Sequence, residues 1–272
     1  MAIGEISLSS SARANLSALQ TTSKLLSTTQ GHLSSGKKVN TALDNASSFF
    51  ASQGFLNSAN DLSNLKDSLS TSLQTVTSAT NAITSLTNVV QQLQGITNSA
   101  LQTTDSAARA GLATQYNSLL SQLDGLVTDA TFNGTNLLNA SGNLTVYFNS
   151  TNTTSLTISG VNVTSAGLGL VSAVNGFAGT HDINTAQSLL QTALTTLRTN
   201  AASFGNNSTI VTTRATFTDN LINTLQTASD SLTLADTNQE GANLQSLQAQ
   251  SQLGVIALGI SGQQAQAILR LF

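Results

Sequence analysis

The sequence predicts a mainly α-helical protein: a long antiparallel coiled-coil rod whose two termini pair, with a small β-hairpin region in the middle. Three observations predict it. Apolar residues recur every seven positions in several segments, Pro is absent from all 272 residues, and the helical rhythm gives way once, near the centre, to an alternation suited to strands. Without Pro, nothing removes a backbone donor or clashes with the preceding turn, so helices can run long.

In chain order, Leu19, Leu26 and Leu33 step by seven near the start, with Leu16 in the companion row. The longest row is Leu62, Leu69, Val76, Ile83 and Val90. A second row three residues later holds Leu65, Ala79, Leu86 and Leu93, with Ser72 as its polar gap. Two rows offset by three are the a and d positions of a coiled coil, which predicts one helix over about 57–102, roughly 65 Å long at ~1.5 Å per residue. A third helix over about 105–128 carries Leu112, Tyr116, Leu119, Leu123 and Leu126. Residues 131–138, TFNGTNLL, put Asn133-Gly134 at a turn. Across 143–164, LTVYFN, SLTIS and VNVT alternate β-branched and polar residues, with a second turn expected at Ser159-Gly160. The Gly-rich stretch 167–179 then leads back to helix. Its apolar positions are Leu190, Leu194, Leu197, Ala201 and Phe204, followed over 208–235 by Ile210, Phe217, Leu221, Leu225, Ala228 and Leu232. The last helix spaces Leu244, Leu247, Leu253, Ile256 and Ile260, then Ile268, Leu269 and Leu271.

Composition narrows the function. Charged residues make up 8% of the chain, against roughly 25% in an ordinary soluble protein. The ends are poorer still. From Gly241 to Phe272 the single charge is Arg270, and from Met1 to Gly36 there are only Glu5, Arg13 and Lys24, with His32. A solvated amphipathic helix carries a charged face, so these terminal helices are expected to be covered by each other and by neighbouring molecules, in a multi-subunit core. Gln and Ser at 245, 246, 248, 250, 251 and 252 argue against membrane insertion. The longest apolar stretch, Val255 to Ile260, is broken by Gly259 and too short to span a bilayer. The start carries Glu5 and no continuous apolar segment, so no cleaved signal peptide is expected. The net charge is −3, and no basic cluster exceeds Lys37-Lys38, which gives no footing for nucleic acid. Absence of Cys rules out disulfides and thiolate metal sites.

Chemistry is equally thin. His32 and His181 lie far apart in sequence, which disfavours a metal site. Gly167-Leu168-Gly169 opens like a dinucleotide fingerprint, but Ser172 takes the third glycine position and no strand-to-helix unit surrounds it. There is no Gly-x-Ser-x-Gly, Walker or His-Glu motif. Asp236 and Glu240, spaced i,i+4, are read as a cap or a bridge to a neighbour. The Asn-x-Ser/Thr sites at Asn143, Asn149, Asn152 and Asn162 are what this composition yields by chance. No catalytic residue, cofactor or metal is expected, and an enzyme is the least supported reading.

Several segments resemble the bacterial flagellins. Asn15-Leu16, Leu33-Ser34-Ser35-Gly36, Val39-Asn40, Ala42 and Asp44-Asn45-Ala46 are similar to the amino-terminal pattern of that family. TFNGTNLL resembles the short hairpin after its rod helices. Ala235-Asp236 to Glu240, then Gln250, Gln252, Leu253, Gly254, Gln263-Gln264, Ala267, Leu269 and Leu271 resemble its carboxy-terminal signature. Departures include His32 and Lys38 where arginines are usual, Asn45 for the second Asp, and the missing carboxy-terminal Pro.

The resemblance implies a subunit that polymerises into a filament. It implies an inner tube from 1–36 and 236–272, an outer rod from 37–140 and 180–235, and a short variable β-rich surface segment at 141–179. Leu16, Leu19, Leu26, Leu33, Leu244, Leu247, Leu253, Ile256, Ile260 and Leu269 are then the candidate polymerisation and terminal coiled-coil residues. Leu62, Leu65, Leu69, Val76, Ile83, Leu86, Val90 and Leu93 are the candidate rod core. The resemblance also implies type III export to the cell exterior, a carboxy-terminal export chaperone, a filament cap and hook-junction neighbours. O-glycosylation of 141–179 is consistent with an outward-facing loop. Gln92 and Gln94 stand where many flagellins carry the arginines of an innate immune receptor patch, which implies weak receptor recognition. A hook–filament junction protein and a secreted coiled-coil adhesin or translocator are the alternative readings.

Overall fold

A computed structural model describes residues 10–269. The elements run α1 (Ser10–Ser35), α2 (Ala46–Gln102), α3 (Ser106–Asp129), β1 (Thr131–Phe132), β2 (Thr135–Asn136), β3 (Asn143–Tyr147), β4 (Ser155–Ser159), a 3₁₀ turn at Val174–Phe177, α4 (Thr180–Thr233) and α5 (Thr237–Leu269). The class is mainly α, as the apolar period predicts. Helix α2 begins at Ala46 rather than near 57, because the Asn45 side chain accepts the Ser48 N–H at 3.0 Å and caps it. Phe55 extends the Leu62 row by one heptad, but the next position back is Ser48, so the apolar period fades before the helix start at Ala46. Helix α3 is capped by Asp105, whose carboxylate accepts the N–H groups of Ala107 and Ala108 at 3.2 and 3.3 Å.

The described residues belong to two compact units, Met1–Asn57 with Thr224–Phe272, and Ser58–Asn223. The division falls within α2 and α4, whereas the sequence reading divided the chain near 36 and 236. Backbone bonds explain why the turn after α1 stays with the terminal helices. Lys38 N–H donates to the Thr233 carbonyl at 2.8 Å, and Ala235 N–H to the Gly36 carbonyl at 3.0 Å. Gly36 ends α1 with φ 70, the left-handed conformation that closes a helix at least cost in glycine.

In the unit Ser58–Asn223, the two rows of α2 form the core. Leu65, Leu69, Val76, Ile83, Leu86, Val90 and Leu93 are buried, with Leu62 half-buried against them. Tyr116, Leu120 and Leu123 of α3 belong to the same core, as do Ile183, Leu190, Leu197, Phe204 and Val211 of α4. Here the sequence reading needs two corrections. The row on α4 keeps its period of seven through Val211 and Thr218, so Ile210, Phe217 and Leu221 are exposed while Ile222 is buried. Thr218 can occupy a buried position because its hydroxyl donates to the Arg214 carbonyl at 2.9 Å. On α3, Val127 is buried and Leu126 is exposed.

Both hairpins pack on this core. Strands β1 and β2 are joined by Asn133 (φ 48) and Gly134 (φ 76), the pair of left-handed residues that a two-residue turn requires. Strands β3 and β4 pair antiparallel with Asn143 opposite Ser159 and Tyr147 opposite Ser155, turning Val146 and Ile158 inward. The connection is the loop 148–154, organised by the Asn149 side-chain amide oxygen, Oδ1, which accepts the N–H groups of Thr153 and Thr154 at 2.9 and 3.3 Å. Ser159-Gly160 is therefore not a hairpin turn. VNVT runs alongside the TFNGTNLL segment instead, with Val161 and Val163 N–H groups donating to the carbonyls of Leu137 and Leu138 at 2.8 and 2.9 Å.

Candidate assembly surface

The terminal unit is built on α1 and α5, which lie antiparallel. On α1 the residues turned toward α5 include Leu16, Leu19, Leu26 and Leu33, all half-buried, with Ala12 and Thr29 buried. On α5 the half-buried positions Glu240, Leu244, Leu247, Ser251, Gly254, Leu258 and Ser261 alternate by four and three, the spacing of a coiled-coil seam. Three contacts set the register. His32 Nδ1 and Glu240 Oε1 are 2.9 Å apart. Leu19 lies over Gly254, where an added Cβ would come within 3.1 Å of its Cδ1 atom. Asn15 Nδ2 donates to Ser261 Oγ at 3.5 Å. The seam thus mixes leucines with small and polar residues. A polar pair inside such a seam specifies alignment more than it stabilises.

The structure separates the apolar residues that the sequence put in one row on α5. Leu244 and Leu247 lie in the seam. Leu253, Ile256 and Ile260 lie on another face of the helix and are 65%, 58% and 51% exposed, with Val255 beside them. Helix α5 therefore carries apolar side chains on two faces, and among the described residues only one of them is covered. Leu269 is the last residue of α5, and its side chain lies outside the described residues.

The carboxylates serve local structure. Asp236 accepts the N–H groups of Asn238 and Gln239 at 2.9 and 3.1 Å and caps α5, while Glu240 bridges to His32. Asp44 accepts the N–H groups of Thr41 and Asn40 at 2.9 and 3.0 Å, and these two bonds hold its carboxyl below the usual range. Among the described residues, no three His, Asp or Glu side chains come together as a metal site would need, and no helix is long and apolar enough to cross a membrane.

Two buried polar groups had no signal in the sequence. Arg109 is buried and donates from Nε to the carbonyls of Ala100 and Thr103 at 3.1 and 2.8 Å, and from a terminal guanidinium nitrogen to that of Ala178 at 3.0 Å. It ties the end of α2 to the entry of α4. Tyr116 is fully buried, its ring set edge-on to that of Phe177 at 5.3 Å, and its hydroxyl has no hydrogen-bond partner among the described residues. Burial pushes its phenol up to about 12.

Comparison with known proteins gives one answer. Residues 6–143 match the bacterial flagellin N-terminal helical region. The chain is 32% identical over 273 residues to flagellin FljO of Caulobacter vibrioides and 30% identical to flagellin FljM of the same organism, in each case across 100% of both chains. It is 29% identical to a flagellin of Brucella melitensis across 99% of each. Among solved structures it is similar to Bacillus cereus flagellin, with TM-score 0.49 and 15% identity over 56% of this chain and 88% of that one. A family match over half the sequence, joined to relatives that align from end to end, means that the chain belongs to the bacterial flagellin family.

Proposed function

We propose that this chain is a structural subunit of the bacterial flagellar filament, extracellular in its working state, and that the filament it builds drives swimming. The observation that carries the reading is the uncovered apolar face of α5. Leu253, Ile256 and Ile260 stand more than half exposed on a helix that carries no charged residue from Gly241 to its end at Leu269. Complete burial of such side chains is worth ~1.5–3 kcal/mol each. Covering the exposed half therefore contributes about 1 kcal/mol per residue, a few kcal/mol per subunit before neighbouring contacts are added. A partner with the same charge-poor surface is the economical cover, and a second copy is one.

In this reading α1 and α5 form the inner tube, and 37–140 with 180–235 form the outer layer. The segment 141–179 faces outward. Leu16, Leu19, Leu26, Leu33, Leu244 and Leu247 hold the terminal pair together, and Leu253, Ile256 and Ile260 meet neighbouring subunits. Successive head-to-tail contacts that do not close generate an open helical polymer. Export through the flagellar type III apparatus, with a chaperone on the carboxy-terminal helix, and growth beneath a cap from a hook junction complete the proposal.

Negative-stain electron microscopy of protein salted out with and without short filament seeds tests it. Long helical tubes are expected. Deleting residues 243–272 should leave the Ser58–Asn223 unit folded, by its helical circular dichroism, and abolish tubes. Persistent monomers of the intact chain in the presence of seeds, or tubes formed by the truncated chain, would refute the proposal.

A further inference from the structure

Asparagine is followed by glycine at two places in the chain, Asn133-Gly134 and Asn175-Gly176. All four residues are left-handed, with φ of 48, 76, 49 and 63. A glycine after asparagine has no Cβ to keep its nitrogen away from the side-chain amide, so both pairs are chemically open to attack of that nitrogen on the amide carbon. The attack also needs a carboxamide free to turn, a backbone nitrogen outside any hydrogen-bonded ladder, and room for the bond between them to rotate. The fold grants these at one pair and withholds them at the other.

At the first pair both residues are exposed, and the Asn133 carboxamide has no hydrogen-bond partner among the described residues. Nearby asparagines are committed: Asn136 donates to the Val127 carbonyl and accepts the Leu138 N–H, and Asn149 accepts those of Thr153 and Thr154. The β1–β2 ladder consists of Thr131 opposite Asn136 and Phe132 opposite Thr135, which leaves Gly134 at the tip outside it. An added Cβ at Gly134 would meet nothing within 4 Å. A two-stranded ladder this short opens locally at little cost. At the second pair, Gly176 lies inside the 3₁₀ turn Val174–Phe177, whose i→i+3 bonds hold the backbone. The Asn175 carbonyl accepts the Ala178 N–H at 3.2 Å. The next residue, Phe177, is fully buried with its ring against Tyr116. Rotating Asn175 toward the Gly176 nitrogen would lever that ring out of the core.

We propose that Asn133 is a site of self-modification, converting to aspartate and isoaspartate in the folded protein, while Asn175 is kept as the amide by its turn. The Gly134 nitrogen bonds to Cγ of Asn133, the Cγ–Nδ2 bond breaks, and Nδ2 leaves as ammonia with the proton that Gly134 gives up. One water then opens the five-membered imide. Cleavage between Cγ and the Gly134 nitrogen yields aspartate, and cleavage at the backbone carbonyl yields isoaspartate. The sum is one water consumed and one ammonia released, with no redox change. Either product puts a second carboxylate in the groove that Asn133 shares with Asp67, Thr71 and Thr135, and adds one negative charge to a net of −3.

The unsubstituted chain supplies the test. Folded monomer is held in mildly alkaline buffer made with water enriched in the heavy oxygen isotope, beside a sample unfolded in urea, and the peptides are sequenced by electron-transfer fragmentation. Heavy oxygen should appear at residue 133 of the folded chain, in both products. Asn175 should convert at least about tenfold more slowly there, a gap equivalent to about 1.4 kcal/mol in the barrier. In urea the two sites should convert at similar rates. An Asn133→Gln chain, whose longer arm closes the ring poorly, should not develop the acidic band that the original gains on isoelectric focusing. Comparable conversion of Asn133 and Asn175 in the folded chain would overturn the proposal. So would a folded Asn133 that keeps its amide while the urea sample loses it, or an acidic band that persists in the Gln variant.

Discussion

Replacing Tyr116 by Phe should make the protein more stable, and more so in base. The hydroxyl is fully buried with no hydrogen-bond partner among the described residues, and a buried hydroxyl without a partner costs ~1–3 kcal/mol in proteins. Phe keeps the ring and its edge-on contact with Phe177. The expected gain at neutral pH is thus at least about 1 kcal/mol, read as a higher urea midpoint with an unchanged slope. The pH dependence follows from the phenol, raised from its ordinary 10.0 to about 12 by burial. An acid whose pKa is raised on folding keeps the native state favoured below the unfolded value and withdraws that support as pH climbs through the folded one. The unfolded chain ionises first, so between about pH 10 and 12 the original protein loses stability that the Phe variant keeps. With those two pKa values the loss is about 1.4 kcal/mol at pH 11. Urea melts of the monomer at pH 7 and pH 11 measure both quantities, and tyrosinate absorbance of the original minus that of the Phe variant isolates Tyr116 from Tyr147, the other tyrosine. A variant less stable than the original by 1 kcal/mol or more at pH 7 would refute the reasoning. It would mean that the hydroxyl is satisfied in solution, by water or by a rearranged turn at Val174–Phe177. A stability difference that does not widen at pH 11 would refute the electrostatic half.

Three further expectations follow from the same geometry. Arg109→Ala should cost roughly 3 kcal/mol, because it strands the buried carbonyl of Ala100 and removes the bonds to those of Thr103 and Ala178; urea unfolding measures the loss, and amide exchange should quicken first at the junction of α2 and α3. Leu86→Ala removes a fully buried side chain and should cost ~2–5 kcal/mol, with monomer unfolding as the measure and helix content below the transition unchanged. The absence of arginine at Gln92 and Gln94 of α2 should leave the chain a weak agonist of the flagellin-sensing innate receptor, and a strong response in a reporter-cell assay would contradict this.

The sequence alone determined the helical class, the two rows of α2 from Leu65 to Leu93, the Asn133-Gly134 turn and the local capping role of Asp236. Each of these is written in spacing along one chain. A seam that buries every seventh residue, a turn that needs two left-handed residues and a carboxylate that caps the next turn all involve near neighbours in sequence. Tertiary structure decided the rest. The core row of α4 passes through Thr218 and leaves Ile210 and Phe217 outside, because the buried hydroxyl bonds to the Arg214 carbonyl. The loop of the larger hairpin sits at Asn149 rather than Ser159-Gly160, because one side-chain amide organises it. Arg109 and Tyr116 look like ordinary helix residues until the distant carbonyls and ring beside them are known. On α5, apolar residues recur on two faces, so periodicity could not say which face meets α1. His32, Leu19 and Asn15 on the other helix select it, through a polar contact with Glu240, a close approach at Gly254 and a hydrogen bond to Ser261. Contacts between residues more than two hundred positions apart thereby leave Leu253, Ile256 and Ile260 uncovered, a consequence that no local pattern contains.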